Sequence, residues 1–369
     1  MPVVELRQVL LAHCARYPQM LLEDAVKLIY QNEFGPGHFV KNEEASLARL
    51  REEMQGFTSD STVQGELFED IGNGFSRLHL GALGGILSLE TVNRFFVTSS
   101  RQNPGSWDRF EKKLELLVAL CSEGLLPFSA EALASYLKKY KEAGFPPVSH
   151  SQVYREAYAP SYRVVSSSYA HYFPVFQEIE RLLRRKGKAV VAIDGPSGSG
   201  KSTLGRLLHS VYACPVVHMD HFFLRPEQRT AERLAEPGGN VDYERFQAEV
   251  VPGLKSGETF SYRIYDCQHN TLSWSPLIET HPLRVVEGSY SLHPTLWDNY
   301  DLRVFLTISP EQQRERILKR NGPMMLERFL TEWVPLEERY FASYQIKGQS
   351  DLVLGEYKQL PMGNSGSEE

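Results

Sequence analysis

The chain of 369 residues lacks several features that would assign it to large classes of protein. No run of apolar residues approaches ~18, the length that a membrane-spanning helix requires, so we expect no membrane partner. The first residues lack the basic segment followed by an apolar core that marks a signal peptide. Together these absences predict a protein of the cytoplasm.

The chain also has few cysteines and no excess of basic residues over acidic ones. The formal net charge is −6, whereas nucleic-acid binding favours a basic face, so we expect no nucleic-acid partner. The cysteines are scattered without a C-x-x-C pair, which predicts reduced thiols rather than disulfides or a metal site. They are Cys14, Cys121, Cys214 and Cys267. The length exceeds that of one ordinary domain, so two domains are expected.

The most informative segment that is present is a glycine-rich turn at residues 195–203. An apolar run at residues 189–193 predicts a buried strand before it, and helical spacing of apolar residues follows it from Leu204. The turn reads G-P-S-G-S-G-K-S-T and matches the pattern G-x-x-x-x-G-K-[ST]. Glycines let backbone amides surround an anion, and the following helix N-terminus adds its dipole. The segment therefore predicts a loop that binds the phosphates of a nucleotide.

Eight positions of this loop are expected to contact the nucleotide. Lys201 should reach the β- and γ-phosphates, and the Ser202 hydroxyl should ligate Mg²⁺. A flexible linker shares the composition, but a linker does not lie between a buried strand and an amphipathic helix. The expected residues are Gly195, Ser197, Gly198, Ser199, Gly200, Lys201, Ser202 and Thr203.

Two later strands each end in an acidic residue. One is predicted at residues 215–219 and is followed by Asp220, and the other at residues 281–286 is followed by Glu287. Open α/β sheets bind ligands at the carboxyl ends of their strands. We expect Asp220 to orient and deprotonate an acceptor hydroxyl, with a turn-capping role as the alternative. Glu287 is expected to hold Mg²⁺, directly or through water.

A third strand at residues 302–308 precedes a basic helix predicted at residues 310–320. Its Arg314, Arg316 and Arg320 suit a lid that closes on a transferring phosphate, where cations offset developing charge; a solvated helix face is the alternative. A last strand is predicted at residues 351–354, and the small, acidic residues 359–369 predict a disordered tail.

Taken in order, these segments resemble the uridine kinase / phosphoribulokinase-like group of P-loop kinases over residues 188–355. Met219-Asp220-His221-Phe222-Phe223 is similar to the segment that supplies the catalytic aspartate of its nucleoside kinases. Glu287-Gly288 resembles the acid-glycine pair after the third core strand, and the basic helix resembles the arginine-rich lid. The resemblance implies catalytic roles for Asp220, Lys201, Arg314, Arg316 and Arg320, and metal binding by Ser202 and Glu287.

The resemblance also implies where the acceptor binds. Residues 240–246 resemble the N-x-D segment whose aspartate, here Asp242, binds the nucleoside sugar. Tyr265-Asp266 resembles the Y-D pair of the substrate pocket, and the histidine expected after it is displaced by one place, to His269. The lid reads R-I-L-K-R-N where R-I-x-R-D is usual. These differences leave the acceptor open.

The implied fold is an α/β P-loop kinase domain, a parallel sheet flanked by helices, and the implied cofactors are ATP and Mg²⁺. The implied activity is transfer of the γ-phosphoryl group to a hydroxyl, and the favoured acceptor is a nucleoside. Pantothenate, a sugar phosphate or glycerate is the alternative acceptor, and a choice between ATP and GTP is left open. A P-loop ATPase switch is the alternative class, although the chain has neither an N-K-x-D segment nor an ABC signature. A homo-oligomer is compatible with either.

Residues 1–180 predict a mostly α-helical domain of unknown role, and residues 185–358 the kinase domain. Few signs of strands precede residue 160, and a basic helix over residues 176–188 is predicted at the border. Helical spacing occurs at residues 6–30 (two helices, around Tyr17-Pro18), 42–54, 88–96, 106–121 and 129–140.

Three stretches of the first half, at residues 32–38, 72–80 and 150–165, are rich in glycine, histidine and charge. A functional interpretation unites Glu33, His38, Arg77, His79, His150 and Arg163 in one polar pocket. Metal ligation by Glu33, His38 and His79 has no supporting spacing. The alternative, which we favour, is loop caps, glycine turns and satisfied buried polar residues.

Overall fold

The computed structural model describes residues 2–36, 40, 42–56, 66–101 and 105–355. They divide into two compact units, with the division between His171 and Tyr172. The expected tail at residues 359–369 lies outside the described residues, as does His38. All four cysteines are free thiols. Among the described helices, none is long and apolar enough to cross a membrane.

Unit 1, residues 1–171, is mostly helical, as predicted. The two helices expected around Tyr17-Pro18 are confirmed, since the first ends at Arg16 and the second begins at Leu22. Serine or asparagine side chains accept backbone amides at the first turns of five helices and so fix where these begin. The described helices of unit 1 are α1 (Pro2–Arg16), α2 (Leu22–Phe34), α3 (Glu43–Gln55), α4 (Leu89–Ser100), α5 (Trp107–Ser122), α6 (Ala130–Glu142), α7 (Gln152–Tyr158) and α8 (Ser167–His171).

Two short strands, which the sequence did not reveal, precede residue 160, and a third follows it. β1 (Phe68–Gly72), β2 (Phe75–His79) and β3 (Tyr162–Ser166) form an antiparallel sheet in the order β1-β2-β3. The turn between β1 and β2 is built on Gly72, Asn73 and Gly74, all with positive φ, which is the usual chemistry of a tight hairpin. β2 shows no apolar alternation because its first four residues, Phe75 to Leu78, are all buried.

A buried ion pair joins β1 to β2 inside unit 1. Glu69 and Arg77 face each other across the ladder, with 3.2 Å between Glu69 Oε2 and Arg77 Nη1. Arg77 also donates to Gln31 Oε1 and lies over the ring of Tyr162. Burial opposes the charge of Glu69, but His13 and His79, whose Nε2 atoms lie 3.3 and 3.7 Å from its oxygens, and the Arg77 charge hold its pKa well below the usual range. The pair is therefore fully ionised inside the unit.

We expect Arg77→Met to destabilise the protein by about 3–5 kcal/mol, because it leaves the Glu69 carboxylate buried without its main cation. The matched control is Arg51→Met, which breaks an exposed pair with Glu90 and should cost at most about 1 kcal/mol. Urea unfolding of both variants measures the difference, and equal losses would contradict the assignment.

Unit 2, residues 172–355, contains a five-stranded parallel sheet flanked by helices, which confirms the predicted α/β architecture. The sheet order is β10-β9-β4-β8-β5, and a separate antiparallel hairpin is formed by β6 and β7. The strands are β4 (Ala189–Asp194), β5 (Val216–His218), β6 (Arg263–Asp266), β7 (Thr271–Trp274), β8 (Leu283–Glu287), β9 (Leu302–Leu306) and β10 (Leu352–Leu354). The α-helices are α9 (Phe173–Lys186), α10 (Lys201–Tyr212), α11 (Ala231–Ala235), α12 (Tyr243–Glu249), α13 (Val251–Ser256), α14 (Pro310–Arg328), α15 (Val334–Ser343) and α16 (Ile346–Gln349).

Two elements differ in extent from the sequence expectation. The helix expected at the border between the halves is α9, and it lies wholly in unit 2. The basic helix expected over residues 310–320 is the first part of α14, which continues to Arg328 beyond a break at Gly322. The backbone of Gly322, at φ 78° and ψ 174°, interrupts the helix, and Pro323 follows it. A π-helix, Phe329–Trp333, then joins α14 to α15.

Candidate active site

The candidate site lies at the carboxyl edge of the parallel sheet. β4 is fully buried and is hydrogen-bonded to β8 on one side and β9 on the other, while β5 pairs with β8. Because these strands are parallel, the segments that follow β4, β5 and β8 emerge at the same edge. This edge therefore brings together the glycine-rich loop, Asp220 and Glu287, as their positions after the strands predicted.

Two glycines allow backbones to approach closely at this edge. Gly195 has φ +143°, and a Cβ there would lie 2.2 Å from the carbonyl oxygen of Leu306. Gly288 has φ +142°, and a Cβ there would lie 2.6 Å from Cβ of Met219. Neither position accommodates a side chain, so both the loop and the end of β8 depend on glycine.

The loop presents donors that suit an anionic ligand. Lys201, which begins α10, is buried, and its Nζ donates to Gly195 O at 2.7 Å and Pro196 O at 3.1 Å. The hydroxyl of Ser199 is buried and has no hydrogen-bond partner among the described residues. A cationic amine beside an unpaired buried hydroxyl, at a helix N-terminus, fits the phosphates of a nucleotide.

The two residues expected to hold Mg²⁺ lie together. Ser202 Oγ donates to Glu287 Oε2 at 3.2 Å, and Glu287 Oε1 lies 2.5 Å from Nδ1 of His218. This contact with Glu287 raises the pKa of His218 despite its partial burial. A hydroxyl and a carboxylate are oxygen ligands of the kind Mg²⁺ takes, with water and phosphate completing its shell. Within the described part of the chain, no three His, Cys, Asp or Glu side chains form a metal cluster.

Asp220 lies beside this pair, in the 3₁₀ turn Met219–Phe222 that follows β5. Its side chain is accessible at the edge of the sheet, yet the surrounding protein raises its pKa through desolvation. The charge of Glu287 raises this pKa further, whereas Lys201 and His218 lower it. The carboxylate therefore interacts with both the loop lysine and the candidate metal ligand.

Residues 190–322 match the Phosphoribulokinase / Uridine kinase family model. The match supports a P-loop kinase, and hence a phosphotransferase, and we call residues 190–322 the kinase segment. No family model matches the amino-terminal half, and a search of curated proteins found no match to the chain.

Solved structures similar to the chain include two bacterial proteins. A "possible uridine kinase" from Bacillus stearothermophilus is 20% identical, with 49% of this chain and 99% of that chain covered and a TM-score of 0.38. A "putative fructose transport system kinase" from Silicibacter sp. TM1040 is 24% identical, with 46% of this chain and 91% of that chain covered and a TM-score of 0.37.

The expected lid contacts the loop through two residues of α14. Gln313 Nε2 donates to Ser197 O at 2.9 Å, and Arg316 Nη1 donates to Gly198 O at 3.0 Å. Arg314 and Arg320 lie at exposed positions, and Arg320 Nε bonds to the neighbouring Asn321. Of the three arginines expected in the lid, the structure thus brings Arg316 alone to the backbone of the loop.

The expected acceptor residues occupy two elements of the kinase segment. Asp242 is buried, caps α12 through Arg245 N, and also accepts from Gln228 Nε2 and Arg245 Nε. Arg245 in turn donates to the carbonyl of His221, beside Asp220. Sequence reasoning assigned Arg245 no role, although the residue joins α12 to the turn that carries Asp220.

The other expected acceptor residues lie in the β6–β7 hairpin, and β6 packs against the turn Met219–Phe222. Tyr265 is buried and its hydroxyl donates to Asn270 Oδ1 at 2.6 Å. Asp266 accepts the amides of Gln268 and His269, and its Oδ2 lies 2.7 Å from His269 Nδ1. His269 is exposed and Asp266 is half-buried, so the hairpin presents polar groups next to the carboxyl edge of the sheet.

Sequence reasoning also missed a glutamate beyond the kinase segment. Glu337 on α15 is buried, and its Oε2 accepts the Ser197 amide at 2.9 Å. Its Oε1 accepts the hydroxyls of Ser197 and Ser289, each at 2.7 Å. Three residues later, Tyr340 donates to Asp194 Oδ2 at 2.9 Å. One turn of α15 therefore holds the loop at two points, and no local motif marks this role.

The structure brings only part of the predicted polar pocket of unit 1 together. Arg77, His79 and His150 all contact Tyr162, and His150 and Arg163 line one cleft, whereas Glu33 has other partners. Glu33 pairs with Arg109 and Lys113 and accepts the Ser106 amide. Arg77 and His79 both lie within ion-pair distance of Glu69. His150 pairs with Asp24, and Arg163 with Glu53. Satisfied buried polar residues, the favoured alternative, therefore describe Glu33, Arg77 and His150.

We expect Glu337→Gln to destabilise the protein by about 1–3 kcal/mol and to weaken ATP binding, because an amide turns one acceptor of the buried carboxylate into a donor facing other donors. Exposed Glu338→Gln, the next residue along, is the matched control and should change neither quantity. Urea unfolding and calorimetric titration with ATP measure the two effects. Wild-type values for Glu337→Gln would show that the loop does not depend on this contact.

Proposed function

We propose that unit 2 is an ATP-dependent kinase that transfers the γ-phosphoryl group to a hydroxyl of a small metabolite, with a nucleoside as the favoured acceptor. The observation that carries this proposal is that the loop with Lys201, the turn with Asp220 and the end of β8 with Glu287 follow neighbouring parallel strands at one edge of the sheet. The family match over the kinase segment supports the reaction type. The choice of a nucleoside rests on the resemblance of the Asp242 and Tyr265 segments.

On the donor side, the loop amides from Gly198 to Thr203 and the Lys201 amine hold the β- and γ-phosphates. Ser202 and Glu287 would hold Mg²⁺, which would neutralise phosphate charge when bound. Arg316 lies close enough to the loop, through its bond to Gly198 O, to turn toward the transferring group. Positioning and electrostatic stabilisation supply most of the rate enhancement in such a site.

On the acceptor side, Asp220 orients the hydroxyl and takes its proton as the new O–P bond forms and the bond between the γ-phosphorus and the bridging oxygen of ADP breaks, which releases ADP. A pKa raised by desolvation makes this carboxylate a stronger base than an ordinary aspartate. Asp242 already accepts three hydrogen bonds, and a carboxylate offers about four acceptor sites, so at most one remains for a sugar hydroxyl. Its second contribution is to hold Arg245, and through it the turn that carries Asp220.

We expect Asp220→Asn to retain ATP binding and to reduce the rate of phosphoryl transfer by about 10²–10⁴-fold, because the amide keeps the shape but accepts no proton. Exposed Asp298→Asn, elsewhere in unit 2, is the matched control and should leave turnover unchanged. Calorimetric titration with ATP and single-turnover assays separate the two steps. Unchanged turnover of Asp220→Asn would remove Asp220 from the mechanism.

The acceptor is tested by scoring acceptor-dependent ADP release with Mg²⁺-ATP, and in parallel GDP release with Mg²⁺-GTP. The acceptors are nucleosides, pantothenate, sugar phosphates and glycerate. Stimulation by nucleosides supports the proposal, and stimulation by another compound reassigns the acceptor. Hydrolysis that no acceptor stimulates favours the ATPase switch.

We also propose that the two units are separate domains, divided at residues 171 and 172 so that α9 stays with the sheet. Fragments 1–171 and 172–358 are each expected to unfold cooperatively. The second fragment should retain acceptor-dependent ADP release at a rate close to that of the full chain. Its inactivity, with the fold intact by circular dichroism, would make unit 1 part of the catalytic apparatus.

A further inference from the structure

Unit 1 contains a cleft that the proposed kinase reaction does not use. It encloses 480 Å³, within the ~300–1,000 Å³ of small-molecule sites. Residues from α2, α3 and β3 contribute to its lining, together with His150 and Pro160. Three of the lining side chains are cations, namely Lys27, Arg49 and Arg163.

The cations of this cleft outnumber its carboxylates. Glu53 is the carboxylate in the described lining, and it forms ion pairs with both arginines. Arg163 Nη1 lies 2.8 Å and Arg49 Nε 3.2 Å from its oxygens. Lys27 instead donates to Val148 O at 2.9 Å and has no ion-pair partner among the described residues. Burial lowers the pKa of Lys27 to about 8, so its amine is still mostly protonated near pH 7, and the lining carries a surplus of positive charge. The Asp24 carboxylate, which pairs with His150 at the wall, offsets part of that surplus.

The polar wall of the cleft is fixed by hydrogen bonds. His150 Nδ1 lies 2.8 Å from Asp24 Oδ1, and its Nε2 lies 2.6 Å from the hydroxyl of Tyr162. Burial lowers the pKa of His150 to about 4, so the ring is neutral near pH 7 and accepts the Tyr162 proton. Gln31 Nε2 donates to the same hydroxyl at 3.1 Å. These groups are held in place before any ligand arrives, which lowers the entropic cost of binding.

We propose that this cleft binds a small metabolite that carries a phosphate or carboxylate group. An anion seated between Lys27 and Arg163 relieves the repulsion among the cations, and the planar guanidinium groups match oxyanions in two-point contacts. The Tyr162 hydroxyl proton is committed to His150, so the neutral donor left at the wall is the second Nε2 hydrogen of Gln31. The site is separate from the nucleotide loop of unit 2 and adds a second ligand to the protein.

The test uses the full chain and isothermal titration with two probes, inorganic phosphate and citrate. Lys27→Met and Arg163→Gln are each expected to weaken binding by about fivefold or more, since each removes one charge close to the anion. Arg49→Gln alters a side chain that is 80% exposed, so the fold is retained, and it should weaken binding about twofold. Glu53→Gln should tighten binding by a similar factor, because it removes the carboxylate that competes for both arginines.

Two controls separate the cleft from other anion sites. Lys201→Ala removes the nucleotide loop of unit 2 as a second phosphate site, and the binding that Lys27→Met and Arg163→Gln weaken should persist in this background. Lys141→Met, at an exposed cation of unit 1 paired with Glu111, should leave the binding of the probes unchanged. Tighter binding in Glu53→Gln excludes misfolding as the origin of the weaker variants. Preference for phosphate or for citrate identifies the chemical source of the anion. No binding of either probe, or binding that only Lys201→Ala abolishes, overturns the proposal.

Discussion

The arrangement of the segments around the candidate site in unit 2 depends on the hydrogen bonds that the carboxylate of Asp194 accepts. It lies fully buried at the end of β4 and accepts four hydrogen bonds, from the amides of Gly195, Tyr290 and Leu292 and from the hydroxyl of Tyr340. Desolvation raises its pKa to about 6, although the bonds it accepts and the charge of Lys201 oppose this rise. A single side chain thereby joins the loop after β4, the segment after β8 and helix α15.

The parts of the site that could be predicted from the sequence are those with a local signature. The glycine-rich loop is recognised by the spacing of its glycine, lysine and serine residues, and Asp220 and Glu287 follow apolar runs that predict buried strands. Because parallel strands share an edge, their proximity followed without knowledge of the pairing. Glu337 had no such signature: it reaches Ser197 from 140 positions further along the chain, on a helix whose packing depends on the whole unit.

Unit 1 contains strands that the hydrophobic pattern of the sequence could not reveal. An Asn-Gly turn stands between β1 and β2, yet the strands escaped prediction because their buried residues include Glu69, Arg77 and Ser76. A hydrophobic pattern cannot mark a strand whose inner face is polar. Charged side chains in unit 1 occupy two kinds of environment. Glu69 and Arg77 form a buried pair of opposite charges, whereas positive charge exceeds negative charge around Lys27 and Arg163, which face a cleft.

Ser197 belongs to the glycine-rich motif, but every polar group it owns is already committed to the protein. Its amide and hydroxyl donate to Glu337, and its carbonyl accepts from Gln313. In the proposed function, the six positions that follow it, Gly198 to Thr203, would therefore contact the nucleotide. Ser197 instead links Gln313 of α14 to Glu337 of α15, so two helices that lie on opposite sides of Gly322 in the chain share one anchor point at the start of the loop.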